Sequence, residues 1–387
     1  MRMVYIDLVS YDPEYQGGVG TYVRGIVPEL VKQNQTQEVT ILCVKNNEQS
    51  IRELGLVNCN YLRVTPSSVY LVSILYKINY RLLGWVWLLV FTQHLQWRNL
   101  IKLLKIKASL IYTPTTYINF RVSTAKHIVS LHDTQEKAYP EYFTTIQKRY
   151  RNVNVINTLK SVCLLQSSSR FIQSQIQFYY KGYLSNKPIV VIPEGVYSDT
   201  HVSDSFDIEK GLDLFCPASF SQHKRQDVLL DSISTLGDDV VRNVRLTGDW
   251  NNVYGMQLFK TFSIDPRVNF TGYVSRNEIE ELYSQSNVVI SCSEYESSSL
   301  PILEGASRGK ILIASDIEAH KEMGEYLRIF YFETGSPQSL KNVLHGVSLL
   351  SMDELNEIRR ANMVSVRSLS WKVAAERYWN AFTKLLV

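Results

Sequence analysis

Short runs of aliphatic and β-branched residues alternate along the chain with longer stretches whose apolar positions recur three and four apart. In the first half, Met3–Val9, Val39–Val44, Leu110–Tyr112, His127–Leu131, Arg170–Gln173 and Ile189–Ile192 read as strands buried on both faces. Gly20–Lys32, with Val23, Ile26, Val27 and Leu30 along one side, reads as a helix between two of them. The polar, turn-rich segment Pro193–Lys210 breaks the rhythm and reads as a linker. The pattern then restarts. Asp213–Cys216, Val244–Thr247, Val268–Phe270, Val288–Ser291 and Ile311–Ala314 read as strands, and Lys224–Leu236, Arg276–Gln285 and Pro301–Arg308 as helices. Such alternation predicts an α/β chain with two Rossmann-like, doubly wound domains, residues 1–198 and 199–370, facing across a cleft.

A length of 387 residues is too great for one ordinary domain and sufficient for two. Apolar residues make up 45% and charged residues 20%, a globular balance that excludes a disordered chain. Cys43, Cys59, Cys163, Cys216 and Cys292 are odd in number, scattered and never spaced as CxxC, so a disulfide framework or zinc site is not expected. The N-terminus runs straight into a strand pattern, with no secretory signal. Nor does any segment supply the roughly 18–20 consecutive apolar residues of a spanning helix.

Charge changes this picture. Residues 1–198 carry 22 basic and 11 acidic side chains, whereas the remainder carries 19 and 26. No carboxylate lies between Glu53 and Asp133, a stretch that holds Arg63, Lys77, Arg81, Arg98, Lys102, Lys105, Lys107, Arg121 and Lys126. Within it, residues 70–107 mix these cations with Leu82, Leu83, Trp85, Trp87, Phe91 and Trp97. Short apolar length with Trp and basic residues suits a helix lying in an anionic membrane interface; a core helix with solvated flanks is the plainer alternative. No nucleic-acid-binding module accompanies the charge, so nucleic acid is not an expected partner.

In sheets of this kind ligands sit beyond the carboxyl ends of the strands, so the loops there carry the candidate chemistry. Gly17, Gly18 and Gly20 open the first helix after the first strand, a turn with free amides at a positive dipole end that suits a diphosphate. The same glycines also serve a tight turn with no ligand. His132, beside Asp133, follows the strand His127–Leu131 and can bind a sugar hydroxyl or a phosphate, or simply cap the next segment. Lys224 and Arg225 stand at a helix start, where their charge opposes the dipole and a bound phosphate would offset the cost. In Ser293–Glu304, Glu296 lies in a loop after a strand and Glu304 in the following Pro301-initiated helix. Exposed amides there are flanked by a carboxylate on each side.

Together these residues resemble family 4 glycosyltransferases of the GT-B fold. The resemblance runs over nearly the whole chain: Gly17-Gly18-Val19-Gly20, His132-Asp133, Ile192-Pro193-Glu194-Gly195-Val196, Lys224, the Glu296 and Glu304 pair, Ile313-Ala314-Ser315-Asp316-Ile317 and Ser370-Trp371-Lys372-Val373-Ala374-Ala375. It implies that residues 371–387 form a final helix crossing back to the first, acceptor-binding domain, and that 199–370 bind the nucleotide sugar. It further implies that Gly17 and Gly18 face the donor diphosphate and His132 the transferred sugar. Lys224 would neutralise the diphosphate, Glu296 contact the sugar, Glu304 hold the ribose, and the amides of Ser298, Ser299 and Leu300 bind sugar and phosphate. The family's arginine five positions before that lysine is replaced by Ser219, so that Arg225 either substitutes for it or the phosphate charge is offset less.

The expected activity is retaining transfer of a hexose, with mannose among the candidates by resemblance to bacterial surface-polysaccharide mannosyltransferases, from a GDP- or UDP-sugar. The acceptor would be a growing polyprenyl-diphosphate-linked glycan (O-antigen, capsule or exopolysaccharide) at the cytoplasmic face of the plasma membrane, where the chain associates peripherally. No Asp-x-Asp pair is present to hold a divalent ion against the diphosphate, so neither metal nor other cofactor is expected. A catalytically silent sugar-nucleotide-binding scaffold and another enzyme of the same fold, such as an epimerase or phosphorylase, are the alternatives.

Overall fold

The computed structural model describes residues 3–12, 17–34, 37–64, 107–119, 121–197, 208 and 210–386. Residues 70–106 of the basic, tryptophan-bearing stretch lie outside them, as does most of the segment read as a linker. The chain divides into two compact units, one of Met1–Pro193 with Trp371–Val387 and one of Glu194–Ser370.

Unit 1 is built on seven strands: β1 (Met3–Asp7), β2 (Glu38–Cys43), β3 (Asn60–Arg63), β4 (Leu110–Thr113), β5 (Lys126–Ser130), β6 (Leu164–Ser167) and β7 (Ile189–Val191). All pair in parallel, in the order β3-β2-β1-β4-β5-β6-β7. Unit 2 has six: β8 (Leu212–Pro217), β9 (Val241–Thr247), β10 (Val268–Gly272), β11 (Val288–Ser291), β12 (Ile311–Ser315) and β13 (Phe330–Phe332). They are again all parallel, in the order β10-β9-β8-β11-β12-β13. Each sheet reverses direction once, between β1 and β4 in unit 1 and between β8 and β11 in unit 2. This is the doubly wound Rossmann order, whose reversal point opens a crevice at the carboxyl ends of the strands. The central strands are buried throughout because helices cover both faces of each sheet, which explains their near-continuous apolar runs.

One strand expectation is corrected. Arg170–Gln173 opens the helix Arg170–Leu184, and the strand lies just upstream at Leu164–Ser167. Ser169 accepts a hydrogen bond from the Ile172 amide as the helix cap, and Ile172, Ile176, Tyr180 and Leu184 bury one helical face. The β-branched start of that face imitates a strand over four residues. The helix read as Lys224–Leu236 is also shorter: a 3-10 turn covers Gln222–Lys224, Arg225 is left-handed at φ 49°, and the helix spans Gln226–Ile233.

The terminal helix Trp371–Leu386 belongs to unit 1 and packs on the helix Gly18–Lys32. Gly25 leaves the notch that the Trp371 indole fills; a Cβ there would run into the ring. Trp379 Nε1 donates to the Leu30 carbonyl at 2.9 Å, and Gln33 Nε2 to that of Lys372 at 2.8 Å. Beneath the seam, the hydroxyls of Tyr22, Tyr112, Tyr378 and Ser130 form a closed, buried network. No helix among the described residues is long and apolar enough to cross a membrane.

Candidate functional site

Chemistry-bearing side chains gather at the carboxyl ends of the central strands in each unit. In unit 2 the loop after β8 brings up Lys224 and the loop after β11 brings up Glu296, so the two flank the reversal point of the sheet. Lys224 Nζ donates to Glu296 Oε1 at 2.6 Å, with side-chain exposures of 20% and 12%. Ser293 Oγ donates to the same oxygen at 2.7 Å. Burial works to raise the Glu296 carboxyl, but the Lys224 charge and these hydrogen bonds, with His223 nearby, hold it below the usual range. It is therefore an ionised carboxylate bound to an ammonium, both partly open to solvent.

Three buried polar atoms in the same set of loops have no hydrogen-bond partner among the described residues: Ser221 Oγ, Ser299 Oγ and His320 Nε2. His320 is fully buried, in the helix Glu318–Met323 after β12, and its Nδ1 lies 2.9 Å from the Ser315 carbonyl. A carbonyl only accepts, so Nδ1 carries the proton and Nε2 is left as an unmatched acceptor. Burial lowers its pKa, so the ring stays neutral; Glu296 and Lys224 both act on it electrostatically. Native proteins leave few such atoms unsatisfied, so each has capacity left for a polar partner.

The other predicted residues of this unit are placed as follows. Ser299 caps the helix Leu300–Ser307, with Leu300 its first residue and Pro301 the next. Its hydroxyl makes no capping bond; its carbonyl instead accepts from the Ile302 and Leu303 amides at 3.0 and 3.2 Å, and Pro301 has no N–H to offer. Glu304, half-buried on that helix, accepts from the buried Tyr283 hydroxyl at 2.6 Å, and the Tyr283 ring is covered by the Arg308 guanidinium at 4.2 Å. Arg225 points elsewhere than Lys224. Its guanidinium grips both oxygens of Asp227 and reaches Glu294 at 3.4 Å, while Tyr254 donates to Asp227 at 2.8 Å. Ser219 is exposed.

Glu194 was not among the sequence-predicted site residues, although it lies inside the Ile192–Val196 segment that carried part of the resemblance. It is 5% exposed and hydrogen-bonds with Ser298. Burial first, then the Glu296 charge, push its carboxyl up to about 7, against the pull of Ser298 and Lys224. Only the fold places this acid against the loop after β11. Cys216 and Cys292 are close by in sequence, yet both thiols are buried and pushed up by burial, as expected of small core residues.

In unit 1, Gly17 caps the helix Gly18–Lys32 in an extended conformation without a side-chain bond. Gly18 is exposed, and a Cβ on it would meet open space among the described residues. His132 follows β5 and is buried, its Nε2 2.8 Å from the Pro114 carbonyl and its ring edge-on to Tyr22 at 4.7 Å. The proton therefore sits on Nε2, and burial keeps the ring neutral. Behind it, Arg151 pairs with Asp133 and with the buried Glu136. Asp7, at the end of β1, accepts from Asn119, Thr113 and the Val9 amide, and burial raises it to about 6. No three His, Cys, Asp or Glu side chains converge on a metal-binding arrangement among the described residues.

Residues 200–360, within unit 2, match the family described as Glycosyl transferases group 1. No curated protein matches the chain. Among solved structures, sucrose-phosphate synthase from Thermosynechococcus elongatus superposes with a TM-score of 0.71 at 15% identity, over 100% of this chain and 99% of that one. Anabaena Alr3699/HepE in complex with UDP and glucose gives 0.70 at 16% identity, over 99% and 100%. A variant of S. aureus TarM in complex with fondaparinux, alpha-GlcNAc-glycerol and UDP gives 0.69 at 12% identity, over 100% of both chains. At such identities the likeness establishes the fold: two parallel-sheet Rossmann-like domains of the GT-B type.

Proposed function

We propose that the chain is a retaining glycosyltransferase that moves a hexose from a nucleoside-diphosphate sugar to a growing, lipid-linked surface glycan. The observation that carries this reading is the Lys224–Glu296 pair at the reversal point of the unit 2 sheet, among buried polar atoms that lack partners. A diphosphate arriving there takes the Lys224 ammonium as its counter-charge. Glu296, released from that ion pair, is free to accept from hydroxyls of the transferred sugar. Glu304, already oriented by Tyr283, holds the ribose, and the amides of Ser298, Ser299 and Leu300 meet the sugar and phosphate. Gly17 and Gly18 would face the diphosphate and His132 the transferred sugar, the roles that the resemblance implies. The complexes of Alr3699/HepE and TarM with UDP favour a uridine donor as the first to test, ahead of GDP-mannose.

The bond from the sugar's anomeric carbon to phosphate breaks as the acceptor hydroxyl forms a new one on the same face, and the departing phosphate takes the acceptor's proton. Lys224 and the loop amides stabilise the charge that develops on that phosphate, where preorganised donors contribute most. Neither a metal ion nor another cofactor is needed in this scheme. The acceptor reading follows the basic, tryptophan-bearing residues 70–107, which would dock on an anionic cytoplasmic leaflet and present a polyprenyl-diphosphate-linked glycan. Ser219 in place of an arginine, with Arg225 committed to Asp227 and Glu294, favours a silent scaffold as the second reading.

A thermal-shift screen of UDP, GDP, ADP and their sugars tests the proposal, because a ligand that binds only the folded state raises the melting temperature. One nucleotide series is expected to stabilise the protein, and Glu296→Ala to abolish transfer while leaving the fold intact. Binding without transfer or donor hydrolysis would select the scaffold, and no stabilisation by any nucleotide would remove both readings.

A further inference from the structure

We propose that Glu194 is a positioning residue of the donor site: its buried carboxyl holds Ser298 in place, and it admits a diphosphate beside Lys224 only while it keeps its own proton. This rests on the donor reading above. Glu194 is the first residue of unit 2, and the backbone that carries it is fixed within two residues, since the Val196 amide donates to the Leu369 carbonyl at 2.9 Å and Val196 bridges Ser370 in parallel. The strands entering and leaving unit 2 are thus tied together beside the acid. Its side chain reaches Ser298, one residue before the cap of the helix Leu300–Ser307 and itself one of the residues whose amides would meet the sugar and phosphate.

The charged and titratable groups acting around it are Glu296 and Lys224, with His223 and His320 acting on Glu296. The Lys224 charge therefore acts on both carboxyls, and Glu296 holds the ammonium at 2.6 Å. With Glu194 protonated, the pair is balanced and an incoming diphosphate meets the ammonium. With Glu194 ionised, a second carboxylate competes for Lys224 and repels the phosphates. A full charge within about a Debye length of a bound diphosphate changes its affinity by about tenfold or more. Because this carboxyl stands near 7, the change falls in the neutral range.

Glu194→Gln keeps the size and a hydrogen-bonding group toward Ser298 but cannot ionise; Glu194→Ala also removes the hold on Ser298. UDP affinity is measured by calorimetry for the wild type and both variants at pH 6 and 8.5, with nucleotide-free melts at pH 4.5, 6, 7 and 8.5. The wild type is expected to weaken about tenfold more than Glu194→Gln between the two pH values. Ionisation of UDP itself is common to all three proteins and cancels. Glu194→Ala is expected to bind more weakly than Glu194→Gln at both. In the melts, a carboxyl raised in the folded state costs stability progressively as pH climbs from about 4.5 toward 7, so the advantage of Glu194→Gln over the wild type should widen across that range. Parallel UDP affinities, a melting gap that ignores pH, or equal binding by the Ala and Gln variants would each overturn the proposal. If UDP, GDP and ADP all fail to bind at pH 6, the donor reading falls and the gate falls with it; the nucleotide-free melts keep that result distinct.

Discussion

Lys224→Met isolates what the ion pair contributes. The substitution keeps most of the side-chain length and leaves the Glu296 carboxylate without its ammonium. Removing one partner of a fully buried pair costs about 3–5 kcal/mol, while fully exposed pairs contribute about 0–1 kcal/mol. With the Lys224 and Glu296 side chains at 20% and 12% exposure, this pair lies nearer the buried limit. Ser293 still donates to Glu296 at 2.7 Å and offsets about 1 kcal/mol, so a net loss of about 2 kcal/mol is expected at pH 7.5. For a domain of this size that is a fall of about 4–8 °C in melting temperature. The pH dependence fixes the sign. In the wild type Glu296 is held below its usual range, so its contribution is fully present above pH 4.5 and is lost as pH falls through the lowered value. In Lys224→Met the carboxyl is no longer held low, and its penalty shrinks as it protonates toward pH 4.5. Calorimetric melts at pH 4.5 and 7.5 should therefore show a larger deficit at the higher pH than at the lower, and Lys224→Met/Glu296→Gln should recover at least half of the deficit at pH 7.5. Equal melting of variant and wild type at pH 7.5, or a double variant no more stable than the single one, would refute the reasoning.

Two further outcomes test the first unit. Gly25→Ala should expel the Trp371 indole from its notch at a cost of about 2–3 kcal/mol, read as faster hydrogen exchange through Trp371–Leu386; unchanged exchange there would contradict the packing argument. Flotation with liposomes should bring the protein up with anionic but not neutral vesicles, and substituting Lys102, Lys105 and Lys107 by Gln should reduce the yield. Equal recovery with both lipids would remove the membrane reading of residues 70–107.

Much of the fold was legible because a parallel sheet covered on both sides needs apolar runs without alternation, and such runs stand out. Val288–Ser291 and Ile311–Ser315 are of this kind, buried at every position. Legibility failed where local sequence serves two structures. Phe171 and Ile172 fit a strand as well as a helix, and only the Ser169 cap and the burial of Ile176 and Tyr180, four and eight residues beyond Ile172, decide the matter. The short strands Asn60–Arg63 and Phe330–Phe332 pass unnoticed, since three or four residues carry too little pattern.

The candidate site divides in the same way. Sequence alone determined that Glu296 would stand in a loop after a strand and Lys224 where the chain passes from a strand into a helix, because strand, turn and helix are local events written in neighbouring residues. That these loops leave adjacent strands, β8 and β11, was decided by the strand order, and so was the 2.6 Å contact across 72 residues of chain. Tertiary structure likewise committed Arg225 to Asp227 and Glu294 and set Tyr283 on Glu304. It also brought Glu194 from the chain crossing to Ser298 and the Glu296 charge. Burial and electrostatic neighbours, which give a carboxyl its character, arise between distant segments, and so Glu194 and Glu296 are alike as residues and opposite as acids.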